Sequence, residues 1–137
     1  TGLEPTPDDL GNGFPEDVQR ALRHHRDGES REEAVQAALK VAMHVPLNIM
    51  RECARVSELS CRLVAIANKN LLTDVGVGAV LAESACAAAR FNVEINLKSI
   101  DDSSLVDRIR PEVEELIRTV SDNREEVTAT IDDHLTG

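Results

Sequence analysis

Thr73 to Leu97, TDVGVGAVLAESACAAARFNVEINL, is a run with no broad polar face until its last turns. Such a run predicts a helix that begins at Thr73 or Asp74, extends toward Leu97 and is buried on several sides. The remainder of the chain must therefore supply partners that wrap it. Alanine and glycine along it let neighbouring backbones approach closely. Gly76 and Gly78 lower intrinsic helicity, so each needs a packing or ligand reason. Glu83, Arg90, Asn92 and Glu94 interrupt the run, which argues against a membrane span.

The flanking segments supply those partners. Ser30 and Glu33 form a capping box, after which Val35, Leu39, Ala42, Pro46, Ile49, Cys53, Val56, Ser60, Leu63 and Ala67 recur at spacings of four and three. That is the seam of a long helix packed on a neighbour, with a kink expected between Ala42 and Val45 because Pro46 removes a backbone donor. A last helix should start around Asp101 to Ser104 with Leu105, Ile109, Val113, Leu116, Val120, Val127, Ile131 and Leu135 on one stripe. Pro111 marks either its true start or a bend. Upstream, Pro15 and EDVQRALRHHR suggest a short helix ending near Gly28. Residues 1–14, with Pro5, Pro7, Gly11 and Gly13 among acidic side chains, read as a flexible acidic arm. No alternating strand pattern, hairpin dipeptide or repeat is present, so residues 15–137 are expected to form one all-α domain, an antiparallel multihelical bundle.

Charge and composition narrow the function. A net charge of -10 argues against a nucleic-acid partner, which would need a surplus of lysine and arginine. An acidic surface richer in arginine than lysine also suits a salt-rich cytoplasm. Phe14 and Phe91 are the only aromatic residues, so rings cannot build the core or stack on a flat ligand. Cys53, Cys61 and Cys86 are odd in number and unpaired in spacing, which points to buried free thiols in a reducing cytoplasm. His24 and His25 diverge by about 100° on a helix, and His44 and His134 stand alone, so no metal site is expected.

Four groups of residues remain as candidates. TDVGVGA lacks the third glycine and the preceding strand of a dinucleotide motif. Thr73 and Asp74 suit a helix start, where a hydroxyl caps free N–H groups and a carboxylate meets partial positive charge; catalysis by Asp74 needs something further. Asn92 and Asn96, one turn apart, fit either interhelical hydrogen bonds or a ligand. Arg51, Arg55, Arg62 and Lys69 line one side of the long helix, as a solvated face paired with glutamates or as a seat for an anionic ligand tail.

HVPLNIM, NKNLLTDVGVGAVLAE and FNVEINLKSIDD together resemble the cyclodeaminase/cyclohydrolase family of folate one-carbon enzymes, over about Ser30 to Leu135. The resemblance rests on Val45, Pro46 and Leu47, then Asn70, Asp74, Val75 and Gly76, then Asn92, Val93, Ile95, Asn96 and Leu97. It implies an all-helical homodimer that acts on a tetrahydrofolate derivative as substrate, with no further cofactor. Closing or opening the one-carbon bridge between two folate nitrogens requires a proton taken from the nucleophile and a proton given to the leaving nitrogen. It also requires negative charge beside a developing cation, and one carboxylate in a water-poor pocket can serve all three. On that resemblance Asp74 is the catalytic residue, while Asn70, Thr73, Gly76, Gly78, Asn92 and Asn96 bind substrate. Thr73 stands where the family commonly has serine. The family's glycine-rich opening segment has no counterpart here, so the chain is expected to be a fragment or a relative that has lost part of its site. The alternative is a non-catalytic helical dimerisation or folate-binding module.

Overall fold

The computed structural model describes residues 15–16, 19–20 and 31–137. The acidic arm, Ser30 and most of the short helix expected after Pro15 lie outside the described residues. Three long helices account for nearly everything else: α1 Arg31–Val64, α2 Leu72–Leu97 and α3 Ser103–Thr136, with a 3-10 turn Lys69–Leu71 leading into α2. Among the described residues there is no strand, and the all-α expectation holds.

Pairing across helices sets their directions. Along α1 and α3 the partners rise together: Lys40 with Asp102, Arg51 with Glu112, Ser57 with Asn123. Between α2 and α3 they run oppositely, Glu94 with Arg110 and Glu83 with Arg124. The chain thus goes up, down and up again, each helix touching both others.

Inward residues follow helical spacing. α3 buries Leu105, Ile109, Val113, Val120, Val127 and Ile131, the stripe read from the sequence except that Leu135 is exposed and Leu116 only partly covered. The main core joins Leu105, Ile109, Val113 and Val120 to Met43, Leu47 and Met50 of α1 and to Cys86 and Val93 of α2, while Val127 and Ile131 pack with Val64, Leu72 and Ala79 in a second cluster. Both prolines are carried inside continuous helices.

Polar contacts pin the register. Asp102 caps α3 by accepting the Leu105 N–H at 3.0 Å and also holds the Lys40 ammonium at 2.8 Å. Gln36 brackets the loop between α2 and α3, donating to the Ser99 carbonyl and accepting from the Asp101 N–H, both at 2.9 Å. Midway along, the buried Ser57 hydroxyl accepts from the Asn123 amide at 2.9 Å and donates to the Ala54 carbonyl at 2.7 Å. A buried hydroxyl with both roles filled carries little desolvation cost and disfavours any slip of α1 along α3.

Two expectations need correction. α2 is buried along one stripe alone, Leu72, Gly76, Ala79, Ala82, Cys86, Ala89, Val93 and Leu97. Small residues fit it into the wedge between α1 and α3, and its far side, with Val77, Leu81, Phe91 and Ile95, is left exposed. By length and composition Lys69–Leu97 could cross a membrane, yet within this fold Glu83 and Glu94 reach arginines of α3. For α1, the seam read from the sequence mixes two faces. Met43, Leu47, Met50 and Ser57 point inward, whereas Ile49, Val56 and Leu63 are about half exposed. Both stripes are apolar, so periodicity alone did not say which one faces the core.

Candidate active site

The connection from α1 to α2 is short. Asn68 caps the 3-10 turn by accepting the Asn70 N–H at 3.0 Å, and α2 follows at once. The helix therefore begins at Leu72, with Leu71 in the cap position and no side-chain cap hydrogen bond. Thr73 is not the cap that its hydroxyl suggested. Asp74 falls in the first turn of α2, where free backbone N–H groups favour a carboxylate.

Beside Asp74, α1 and the start of α2 diverge around an apolar groove of about 610 Å³. Its walls are Val56, Leu59, Leu63 and Ile66 on one side and Leu71 and Val75 on the other. That size is typical of a small-molecule site, in which a few polar groups orient a ligand among apolar walls. Asp74 is the one charged side chain among the described lining residues. It is exposed, and among the described residues it makes no ion pair. Ser60 adds a buried hydroxyl whose proton goes to the Val56 carbonyl at 2.9 Å, leaving oxygen lone pairs for an acceptor role. A second apolar groove of about 600 Å³ continues along the α1–α2 seam, sharing Val56 and Gly78 with the first.

The predicted site residues separate into three groups. Asp74 and Gly78 line the groove; a Cβ on Gly78 would meet nothing nearer than Ser60 Oγ at 4.0 Å, so the space reserved there is real. Asn70 and Thr73 are exposed beside the groove without lining it. Gly76 is a correction: it is buried against α3, where a Cβ would stand 2.6 Å from Ile131 Cδ1, so its small size serves packing rather than a ligand.

Asn92 and Asn96 are a second correction. They lie at the far end of α2, roughly 27 Å and 33 Å from Asp74 at 1.5 Å per residue. Among the described residues neither bonds to another helix; the Asn96 amide donates to the Asn92 carbonyl at 2.7 Å. Within one chain they cannot touch the same small group as Asp74. Sequence reading also missed Ser60 and Leu59. The i, i+3, i+4 recurrence of Val56, Leu59, Ser60 and Leu63 was the available signal, but it looked like core.

The basic stripe divides as well. Arg51 is committed to Glu112 through two hydrogen bonds, and Arg55 pairs with Glu52 at 3.0 Å. Arg62 and Lys69 are exposed. The cysteines offer no nucleophile: burial, and then neighbouring Cys53, pushes the Cys86 thiol up to about 11. Burial likewise raises Cys53 and Cys61.

Residues 16–115 match the family model for formiminotransferase-cyclodeaminase. The chain belongs to the formiminotransferase-cyclodeaminase family. It is also 31% identical over 97 residues to the methenyltetrahydrofolate cyclohydrolase of Methylorubrum extorquens, covering 71% of this chain and 47% of that protein. The chain thus spans about half the length of this relative. No solved structure matches the chain. Asp74, its groove and both asparagines fall inside the matched range, so the family relationship covers the whole candidate site.

Proposed function

We propose that this chain carries the folate-handling core of a one-carbon enzyme that adds water to the methenyl bridge of a reduced folate or closes that bridge with loss of ammonia. One observation carries the reading: a lone carboxylate, Asp74, stands at the mouth of an apolar groove large enough for a pterin. The groove offers the ring system apolar walls on a solvent-facing surface, and Gly78 leaves room for it. Asp74 takes a proton from the attacking water, returns it to the departing nitrogen and stabilises the cationic carbon between them. General acid–base catalysis of this kind contributes typically 10²–10⁴-fold. Asn70 and Thr73, next to the groove, are placed to contact parts of the substrate that protrude from it. The family relationship supports a homodimer as the working unit.

The second reading, a folate-binding or dimerisation module without turnover, is favoured by the separation of Asn92 and Asn96 from Asp74. Following the loss of methenyltetrahydrofolate absorbance decides between them. Wild type should accelerate hydrolysis, and Asp74→Asn should lower the rate by about 10²–10⁴-fold while still binding the ligand. Full activity in Asp74→Asn, or binding without acceleration in wild type, would discard the catalytic assignment.

A further inference from the structure

Two serines are buried three residues apart on α1, and the fold uses them differently. Ser57 is fully covered; its hydroxyl donates to the Ala54 carbonyl and accepts from the Asn123 amide, so both of its roles are filled. Ser60 is 5% exposed and donates to the Val56 carbonyl at 2.9 Å. Among the described residues nothing donates to the Ser60 oxygen. Ser60 lines the groove beside Asp74, and its oxygen is the atom that a side chain at Gly78 would meet first, 4.0 Å from an added Cβ.

Nothing in the packing calls for a hydroxyl at this place. A serine that bonds back onto its own helix weakens it slightly, alanine has the higher helix propensity, and the wall on either side is the apolar Val56, Leu59 and Leu63. Gly78, facing Ser60 across the α1–α2 seam, is also a poor helix former. A long side chain there would lie over the Ser60 oxygen. Both positions thus give up helix stability, and together they leave one uncovered acceptor in an apolar wall. With its proton committed to Val56, that oxygen matches an N–H of a ligand and mismatches a carbonyl or a ring-nitrogen lone pair.

Position along the groove narrows the match. Gly78 follows Asp74 by one turn of α2, so the Ser60 oxygen stands about 6 Å further along the helix axis than Asp74. Asp74 and Ser60 are the only polar side chains among the described lining residues. In a reduced folate the reacting carbon is held between N5 and N10, and the 2-amino group is the N–H donor at the far corner of the same two fused rings. A pterin with its one-carbon bridge at Asp74 brings that amino group to the level of Ser60. We infer that Ser60 is a positioning residue for the pterin: its oxygen accepts a hydrogen bond from the 2-amino group and so sets which end of the ring system faces Asp74. This assignment rests on the folate reading proposed above.

The test crosses a change in the protein with a change in the ligand, so that the coupling between the two is measured directly. The probes are 5-formyltetrahydrofolate and its 2-desamino analogue, each titrated by calorimetry into wild type, Ser60→Ala and Asp74→Asn. Wild type should bind the amino ligand about 2- to 12-fold more tightly, the range of one neutral hydrogen bond. Ser60→Ala should bind the two ligands alike, with a thermal midpoint no lower than that of wild type. Asp74→Asn should keep the wild-type preference.

Binding of both ligands by wild type with no preference, or a preference that survives in Ser60→Ala, would overturn the role of Ser60 and leave the folate reading standing. A preference lost in Asp74→Asn and kept in Ser60→Ala would put the amino group at the carboxylate and reverse the pterin. A midpoint lowered in Ser60→Ala, with both ligands weakened equally, would show that the hydroxyl serves the fold. A wild type that binds neither ligand would strike the folate reading itself, and this assignment with it.

Discussion

At the scale of single residues, two glycines one turn-fragment apart have opposite roles, and only the structure tells them apart. Gly76 is buried against Ile131 and Gly78 looks into open space beside Ser60. Gly76→Leu should destabilise the fold by about 1–3 kcal/mol through overpacking. Gly78→Ala should instead stabilise it by up to about 1 kcal/mol, the helix-propensity difference, while reducing folate affinity. Urea denaturation and a ligand titration on the same two variants check both halves. Equal destabilisation at the two positions would show that the Gly78 side of the groove is filled. The sequence showed that glycine was needed twice; which neighbour it made room for depended on how α2 is rotated, and a run apolar nearly all round does not encode that rotation.

At the scale of elements, legibility followed the contrast between faces. α3 alternates sharply between charged and aliphatic positions, and its buried stripe was readable nearly to the residue. α1 has two apolar stripes and α2 hardly any polar one, so the inward side of each was fixed by packing against the others. Element ends were less legible still, because the 3-10 turn before α2 depends on the Asn68 side chain folding back on its own backbone. The Asp102 cap offers a measurable case. The Lys40 ammonium and then the Leu105 N–H hold the Asp102 carboxyl below the usual carboxylate range. A carboxyl depressed on folding adds stability at pH values above its unfolded pKa. That stability is lost as pH falls through the folded value. Asp102→Ala should therefore cost about 1 kcal/mol at neutral pH. Asp102→Asn keeps an accepting oxygen, so its stability deficit should shrink as the pH is lowered from about 5 toward 2. A deficit independent of pH would mean that the Lys40 contact contributes nothing to the fold.

At the scale of the whole molecule, a net charge of -10 on 137 residues opposes compaction. Raising salt from about 10 mM to 1 M shortens the screening length from roughly 30 Å to 3 Å, so the thermal midpoint should rise across that range; a falling midpoint would show that the cross-helix pairs outweigh the repulsion. All-helical architecture and the place of Asp74 in the opening turn of α2 were visible in the sequence. The distance between Asp74 and the asparagines was not, since it follows from α2 being one straight element rather than from any local pattern. The up, down and up course of the chain has one more effect. Among the described residues, two helices pointing one way against one pointing the other leave a single macrodipole uncompensated, with its negative pole at the end where α1 finishes and α2 starts. A ligand cationic at its reacting carbon and anionic in its tail would be turned by that residual field, with the cation drawn toward Asp74 and the tail pushed to the opposite pole. The bias is worth about 0.3–1 kcal/mol at low ionic strength.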